Sequence, residues 1–455
     1  MNSEQLWWQP FREGKVKQNC STIELSKNGS NEVAYQGPGE LWQDRDGALF
    51  FKCYCSEHAS SSIATMLCEL AALQPGKLIP TSNYYFVRIV TSDGQEWTAD
   101  NISPSRDHSL ITGQVVVTGR LGSLRHVKSL ESPSAHHRIR LLFIGQSPDD
   151  WSGLNGSEIA CDEIGCLIRV FPERGSDVVV EIKSEHKLAT NFEVRAIEAL
   201  RYVLAKVIHV SVIEVSADRF VETTLISPCR AFESRLLPPL IARSLDNRIS
   251  VRRLFERYLT FVHSQISTEF VHPCSAHLRN ACEASSNAIE TEVIGLCVAV
   301  EGIANLVPYE RSDRDDEAIV TIRRTIAKWL EKRKFNDRLR ARVTGLLSQL
   351  KDVNINHRLE SLTQTGQLDV NCLNVWKTLR NQVVHPKTSK LEEFDERWFQ
   401  ELLDDLHQVY VCMYQITFAL IGYEGAFSNY ASKGFPVDAY PLRQQSSKPG
   451  CSQTN

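Results

Sequence analysis

The sequence predicts an α+β protein, a β-rich N-terminal domain followed by an all-α helical bundle. Three observations predict it. Before about residue 235, short runs rich in β-branched and aromatic residues dominate. Two of these runs are joined to their neighbours by Asp-Gly, the dipeptide of tight hairpin turns. After "RLLPPL" the period changes: apolar residues recur at helical spacing, and proline and glycine are nearly absent inside the runs.

The elements follow in order. "ELWQDRDGALFFKCYC" sets Asp46-Gly47 beside an aromatic-rich run, and "NYYFVRIVTSDGQEWTA" sets Asp93-Gly94 between two apolar-rich runs; each reads as a hairpin. Further strands are expected in "QVVVTG", "RIRLLFIG", "GCLIRVF" and "DVVVEIK". One helix interrupts this half, in "TNFEVRAIEALRYVLAKVI", before strand character returns in "VSVIEVSADRFVETTLIS". Six helical stretches then follow, from "SVRRLFERYLTFVHSQIS" to "FDERWFQELLDDLHQVYVCMYQITFALIG", joined by short polar connectors. This divides the chain into residues 1–235 (β-rich with one packed helix), 236–284 (a connecting helical segment), 285–430 (the bundle) and 431–455 (a polar tail with a disordered end).

Composition narrows the function. Across 455 residues the hydrophobic fraction is 42%, the charged fraction 23% and the net charge −4, which is ordinary globular composition. A protein that coats nucleic acid non-specifically would be strongly basic, so that class is disfavoured, although a local basic site is not. The N-terminal "MNSEQLWWQPFREG" lacks the apolar core of a signal peptide, and the most apolar later stretches fall short of a membrane span. A soluble, cytoplasmic protein with no membrane partner is expected. Thirteen scattered cysteines then read as reduced and partly buried. Cys53, Cys55 and His58 form one cluster and His272, Cys274 and His277 another. Each has too few ligands for a closed zinc site, so neither a metal nor another cofactor is expected.

One helix concentrates chemistry. In "LDVNCLNVWKTLRNQVVHP", with Trp376 at the origin and about 100° per residue, Leu373, Leu379, Val383 and Val384 share one apolar face. Arg380 falls inside that face, where an unpaired charge is costly. Asn381 and His385, four residues apart, are neighbours on its polar edge, which Lys377 borders. Pro386 disfavours helical geometry at His385 and puts it at the helix end. "VIGLCVAVEGIANLV" is apolar nearly all round apart from Glu301, so an ion pair between Glu301 and Arg380 across the bundle would satisfy both. The alternative has Glu301 facing solvent at one edge.

An arginine, then a polar residue, then a histidine near the end of a bundle helix resembles the HEPN superfamily, whose motif is R-x4–6-H with Asn, Asp or His favoured directly after the arginine. Arg380, Asn381 and His385 match it. "ALIGYEGAFSNYASKGFP" is similar to the end of bacterial HEPN proteins of the ApeA-like group. The resemblance covers about residues 285–430; the N-terminal half is similar, more weakly, to the β-rich domain that precedes HEPN in that group. It implies a HEPN-type bundle and a metal-independent endoribonuclease with a composite site at a homodimer interface. It also implies anti-phage defence, with a phage-derived trigger at the N-terminal domain. Arg380, Asn381 and His385 are then the catalytic residues and RNA the substrate. A histidine titrating near neutrality can move the 2′-hydroxyl proton. Arginine can hold the scissile phosphate through a bidentate fork, and asparagine can orient either. Glu301 and Lys377 are supporting residues.

The bare pattern recurs at Arg120–His126, in a loop-like stretch with glycine, and at Arg257–His263, where Tyr258 follows the arginine and no helix-ending signal follows the histidine. Two other readings compete. One is a non-catalytic HEPN module that binds a nucleotide or partner, with Arg380 a structural partner of Glu301. The other is a toxin of a toxin–antitoxin pair, disfavoured because a toxin needs no large extra domain. "IRRTIAKWLEKRKF" and "DRLRARV" read either as solvated helix faces or as an RNA-backbone surface.

Overall fold

A computed structural model describes residues 9–56, 76, 78–108, 114–134, 136–156, 158–173, 175–228, 236–264, 271–309, 313–333, 336–349, 355–384 and 396–442. The chain divides into two compact units: Met1–Ile197 with Ile208–Ala231, and Glu198–Val207 with Phe232–Asn455.

Among the described residues the first unit is built on one sheet of fourteen strands, antiparallel at every pairing. Both Asp-Gly turns make the hairpins read from sequence. Gly47 and Gly94 take φ of +85° and +84°, which an L side chain resists. They join Val33–Gln43 to Leu49–Ser56 and Tyr85–Thr91 to Glu96–Ile102. Along Tyr85–Thr91 every second side chain is buried, the signature of a strand with one face on a core. That core collects Ile23, Leu25, Phe51, Val87, Ile89, Val115 and Val117, all at most 1% exposed. Cys53 and Cys55 are two residues apart on one strand and lie in this core, their thiols directed at main-chain carbonyls of Ile23, Gly37 and Val115. His58 lies outside the described residues. Arg120 and His126 stand on strands consecutive in the chain but not paired in the sheet, Gln114–Leu121 and Ser123–Ser129, rather than in a loop.

The second unit is helical. Its helices are α1 (Phe192–Leu204, within which the boundary between units falls), α2 (Leu245–Ser264), α3 (Pro273–Ala284), α4 (Ile289–Ala304), α5 (Asp313–Lys332), α6 (Asp337–Gln349), α7 (Ile355–Gln364), α8 (Val370–Val384) and α9 (Glu396–Ile421). α2 and α3, read as a connecting segment, belong to the same unit as the bundle and bury Phe255, Tyr258, Cys274 and Ala281 completely. α4 is the central helix and packs on α3, α8 and α9. Seven of its sixteen residues are buried, as its near-continuous apolar sequence requires. α9 supplies an unbroken buried run from Val409 to Phe418. No helix among the described residues is long and apolar enough to cross a membrane.

The C-terminal segment departs from the sequence reading. Instead of a polar tail beginning at 431, the chain forms a hairpin of Gly425–Ser428 and Val437–Tyr440. Phe427, Tyr430 and Tyr440 bury their rings, and the Tyr440 hydroxyl donates to the Gln415 carbonyl at 3.2 Å. Ser428 is fixed twice: its N–H donates to Pro239 O at 3.0 Å, and its hydroxyl accepts from Ile241 N–H at 2.9 Å. Three buried aromatics in a short polar stretch outweigh its composition.

Candidate functional site

The site begins with the helix start that positions it. Asp369 caps α8, its carboxylate accepting from Asn371 N–H at 2.7 Å, and its own N–H donates to the Gln415 side chain of α9 at 2.8 Å. That pins the rotation of α8, and the expected apolar face turns inward: Leu373, Trp376 and Leu379 are each at most 2% exposed. The Trp376 indole N–H donates 3.2 Å to the Cys297 carbonyl of α4. A buried indole thus has its one donor satisfied, and the two helices are tied at this level.

Arg380 lies one turn beyond Trp376. Its Nε donates to Glu301 Oε2 at 2.7 Å, the ion pair that the sequence suggested across the bundle. Its guanidinium carbon stands 5.8 Å from the Trp376 ring centroid, within cation–π range. The guanidinium is less buried than the helical wheel implied. The Arg380 and Glu301 side chains are 38% and 37% exposed, because a long side chain rooted on an apolar face can lay its stem there and carry its charge to the surface. A pair this exposed contributes on the order of 0–1 kcal/mol to stability. It therefore orients Arg380 more than it stabilises the bundle, and an anion can compete for the arginine at little cost.

Lys377 is held in the same manner, its ammonium 3.0 Å from Glu360 Oε1 on α7. Asn381 is exposed. α8 is described through Val384; His385 and Pro386 lie outside the described residues. The structure therefore brings together Arg380, Glu301 and Trp376, with Asn381 the next residue on the exposed side and Lys377 one turn back.

The rival pairs separate on geometry. Arg120 donates to the Pro228 carbonyl at 3.0 Å and stands on a strand. Arg257 and His263 do lie on a helix, α2, which is described through Ser264. What distinguishes them is the residue after the arginine. Tyr258 is fully buried and shares a hydrogen bond with Ser275 at 2.8 Å, whereas Asn381 is open to solvent.

Two features near Glu301 were not legible in sequence. A Cβ on Gly302 would lie 2.2 Å from the His277 ring, so α3 and α4 meet there at van der Waals contact through a glycine notch. His277, read as part of a metal-like cluster, instead covers the residue after Glu301. His272 caps α3, its Nδ1 accepting from Cys274 N–H at 3.1 Å, and the Cys274 thiol is buried and pushed up to about 12 by desolvation. Among the described residues no group of three or more His, Cys, Asp or Glu side chains is placed to hold a metal ion. Second, Thr291, Ile294, Val298, Glu301 and Asn305 fall at three- and four-residue spacing along α4 and form its outward stripe. Ile294 and Val298 are 44% and 52% exposed, so an apolar ridge leads to the ion pair.

Cys297 reports on this corner. Burial pushes its thiol up to about 12, the neighbouring Arg380 charge opposes the shift and the Glu301 charge adds to it. The reactive species is the thiolate, so at pH 8 its fraction in the folded protein is about 10⁻⁴. We expect iodoacetamide to leave Cys297 unmodified in the native protein and to modify it in 6 M guanidinium, as read by peptide mass spectrometry. Native labelling as fast as that of an exposed cysteine would mean that this corner opens.

No family model, curated protein or solved structure matches this chain.

Proposed function

We propose that the protein is a HEPN-type, metal-independent endoribonuclease whose site is built on Arg380, Asn381 and His385. The observation that carries the reading is the Glu301–Arg380 pair seated over Trp376, with Asn381 exposed beside it. An arginine held by its Nε edge is pre-oriented, and little reorganisation is left for the moment a phosphate arrives. His385 would take the proton of the ribose 2′-hydroxyl. The 2′-oxygen would then attack phosphorus, and the 5′-oxygen would leave with a proton from a second acid. The products are a 2′,3′-cyclic phosphate and a 5′-hydroxyl. Arg380 would neutralise the charge that develops on the phosphoryl oxygens. In the setting the resemblance implies, this activity serves anti-phage defence in the cytoplasm, with the N-terminal unit responding to a phage-derived trigger.

The second acid is drawn from a second copy of the chain, and the apolar ridge of Ile294 and Val298 beside Glu301 supports a homodimer through α4. Replacing both residues with aspartate puts two charges in the ridge of each copy. We expect sedimentation to change from dimer to monomer with helical content retained, and cleavage to fall with it. A dimer that persists places the contact elsewhere.

The same ion pair supports a second reading, in which Arg380 is a structural partner of Glu301 and the domain binds a nucleotide or a partner without cutting. Incubating purified protein with total cellular RNA in EDTA separates the two. Cleavage leaving 2′,3′-cyclic phosphate ends supports the nuclease. Intact RNA, with and without phage lysate, supports the binding module.

A further inference from the structure

We propose that α5 and α6 form an arm that grips the sugar–phosphate backbone of RNA, a proposal that rests on RNA being the substrate of the site above. Between residues 323 and 342 stand nine lysines and arginines against two acids, a net of +7 in a chain whose total is −4. The rest of the protein carries a net charge of −11, 42 lysines and arginines against 53 acids, and this segment holds the main concentration of positive charge.

The charge is arranged as well as concentrated. Arg324, Lys328 and Lys332 recur every four residues on α5 and are all exposed. Successive members are about 6 Å apart along the helix axis, on the order of the step from one phosphate to the next along a strand. Arg338 and Arg342 repeat the spacing on α6 and are also exposed. Among the described residues none of these five cations has an ion-pair partner. Trp329 lies in the same turns with 51% of its surface exposed, a stacking platform for an unpaired base. The two helices meet through Leu330, 5% exposed, whose carbonyl accepts from Arg340 Nη2 at 3.0 Å. Arg340 is thereby used to join the arm, and the five exposed cations are left to face outward.

Chain order ties the arm to the site. It is inserted between α4, which carries Glu301, and α7, which carries Glu360. Those two acids neutralise Arg380 and Lys377. The site thus has little net charge with which to hold a polyanion, and the missing attraction is supplied by the segment that connects its helices. An anionic membrane fits less well. A helix lying on a bilayer needs its exposed apolar residues on one face, and the exposed Val320 and Ile322 of α5 point roughly 160° apart, while its three cations share a face.

The test uses the full-length chain carrying Arg380→Ala, so that RNA survives the measurement, with and without the triple change Arg324→Gln, Lys328→Gln and Lys332→Gln. A 5′-fluorescein-labelled, mixed-sequence single-stranded RNA of twenty nucleotides is titrated in EDTA by anisotropy from 50 to 200 mM KCl. Thermal unfolding confirms that both proteins are folded. The arm predicts at least tenfold weaker binding at 50 mM KCl for the triple variant and a log–log salt slope shallower by about 2, from roughly 0.7 per lost phosphate contact. Trp329→Ala should weaken binding with the slope unchanged. Equal affinities with and without the triple change overturn the arm, as does an absence of RNA binding. Binding to phosphatidylserine vesicles that the triple change abolishes, without RNA binding, replaces RNA by a membrane. Cleavage assays on the single Arg380→Ala chain read the catalytic assignment separately. RNA cut by that variant yet held by the arm sinks the site and leaves the arm standing.

Discussion

On the proposed assignment, alanine at His385 should lower RNA cleavage by roughly 10²- to 10⁴-fold, the range that a positioned proton-transfer group supplies, and, its role being chemical, leave the thermal midpoint within about 2 °C of the parent. Arg380→Ala gives a loss on the order of 10²- to 10³-fold, that of a group stabilising developing charge. Its effect on stability is equally small, because the ion pair it breaks is half-exposed. That combination is the informative one. A structural arginine, whose role is only to hold Glu301, would show the same small change in stability with no loss of chemistry. Arg380→Lys tests the fork itself: it keeps the charge, cannot reproduce planar bidentate contact, and should recover only part of the rate. The double change of Arg380 and His385 to alanine should cost far less than the product of the single losses, since residues acting as one unit are non-additive. Equal cleavage by the parent and folded His385→Ala protein would remove His385 from the mechanism.

Much of the site is legible in the amino-acid sequence because its causes are local. A helix that is apolar all round with one acid leaves that acid few solutions, and Glu301 takes the one that the wheel of α8 offers. The Asp-Gly hairpins are equally local, since positive φ at Gly47 and Gly94 follows from the turn type. The rest depends on distant partners. Ser428 is fixed by Pro239 and Ile241, nearly two hundred residues earlier, so nothing within the C-terminal stretch announces a hairpin. Likewise the pairing order of fourteen strands, in which Lys17–Lys27 lies between Val33–Gln43 and Tyr85–Thr91, is set by tertiary packing and leaves no local trace. The arm is an intermediate case. Its net charge can be counted from sequence, but the exposure of its cations, and their lack of ion-pair partners among the described residues, are properties of the fold.

Trp376→Ala should cost roughly 3–5 kcal/mol, the range for deleting a fully buried large aromatic, and lower the melting temperature of the helical unit by on the order of 10 °C. Three losses add here. The indole is 1% exposed, so its removal leaves a cavity where α8 meets α4. Its N–H no longer satisfies the Cys297 carbonyl, a group then left buried without that donor. The guanidinium of Arg380 loses the ring beneath it. The first two lower stability and the third lowers activity, and Trp376→Phe separates them. Phenylalanine refills most of the cavity and still offers a ring to the cation, but cannot donate to Cys297. It should recover the larger part of the stability, leaving a deficit of about 1 kcal/mol for the hydrogen bond, and restore cleavage nearly to the parent level if the ring's task is to seat Arg380. If Trp376→Phe is stable but as inactive as Arg380→Ala, then the indole hydrogen bond to α4 sets the register of the two helices on which the arginine and its glutamate stand. Denaturation of both variants, measured beside their cleavage rates at a temperature where each is folded, decides which link carries the effect.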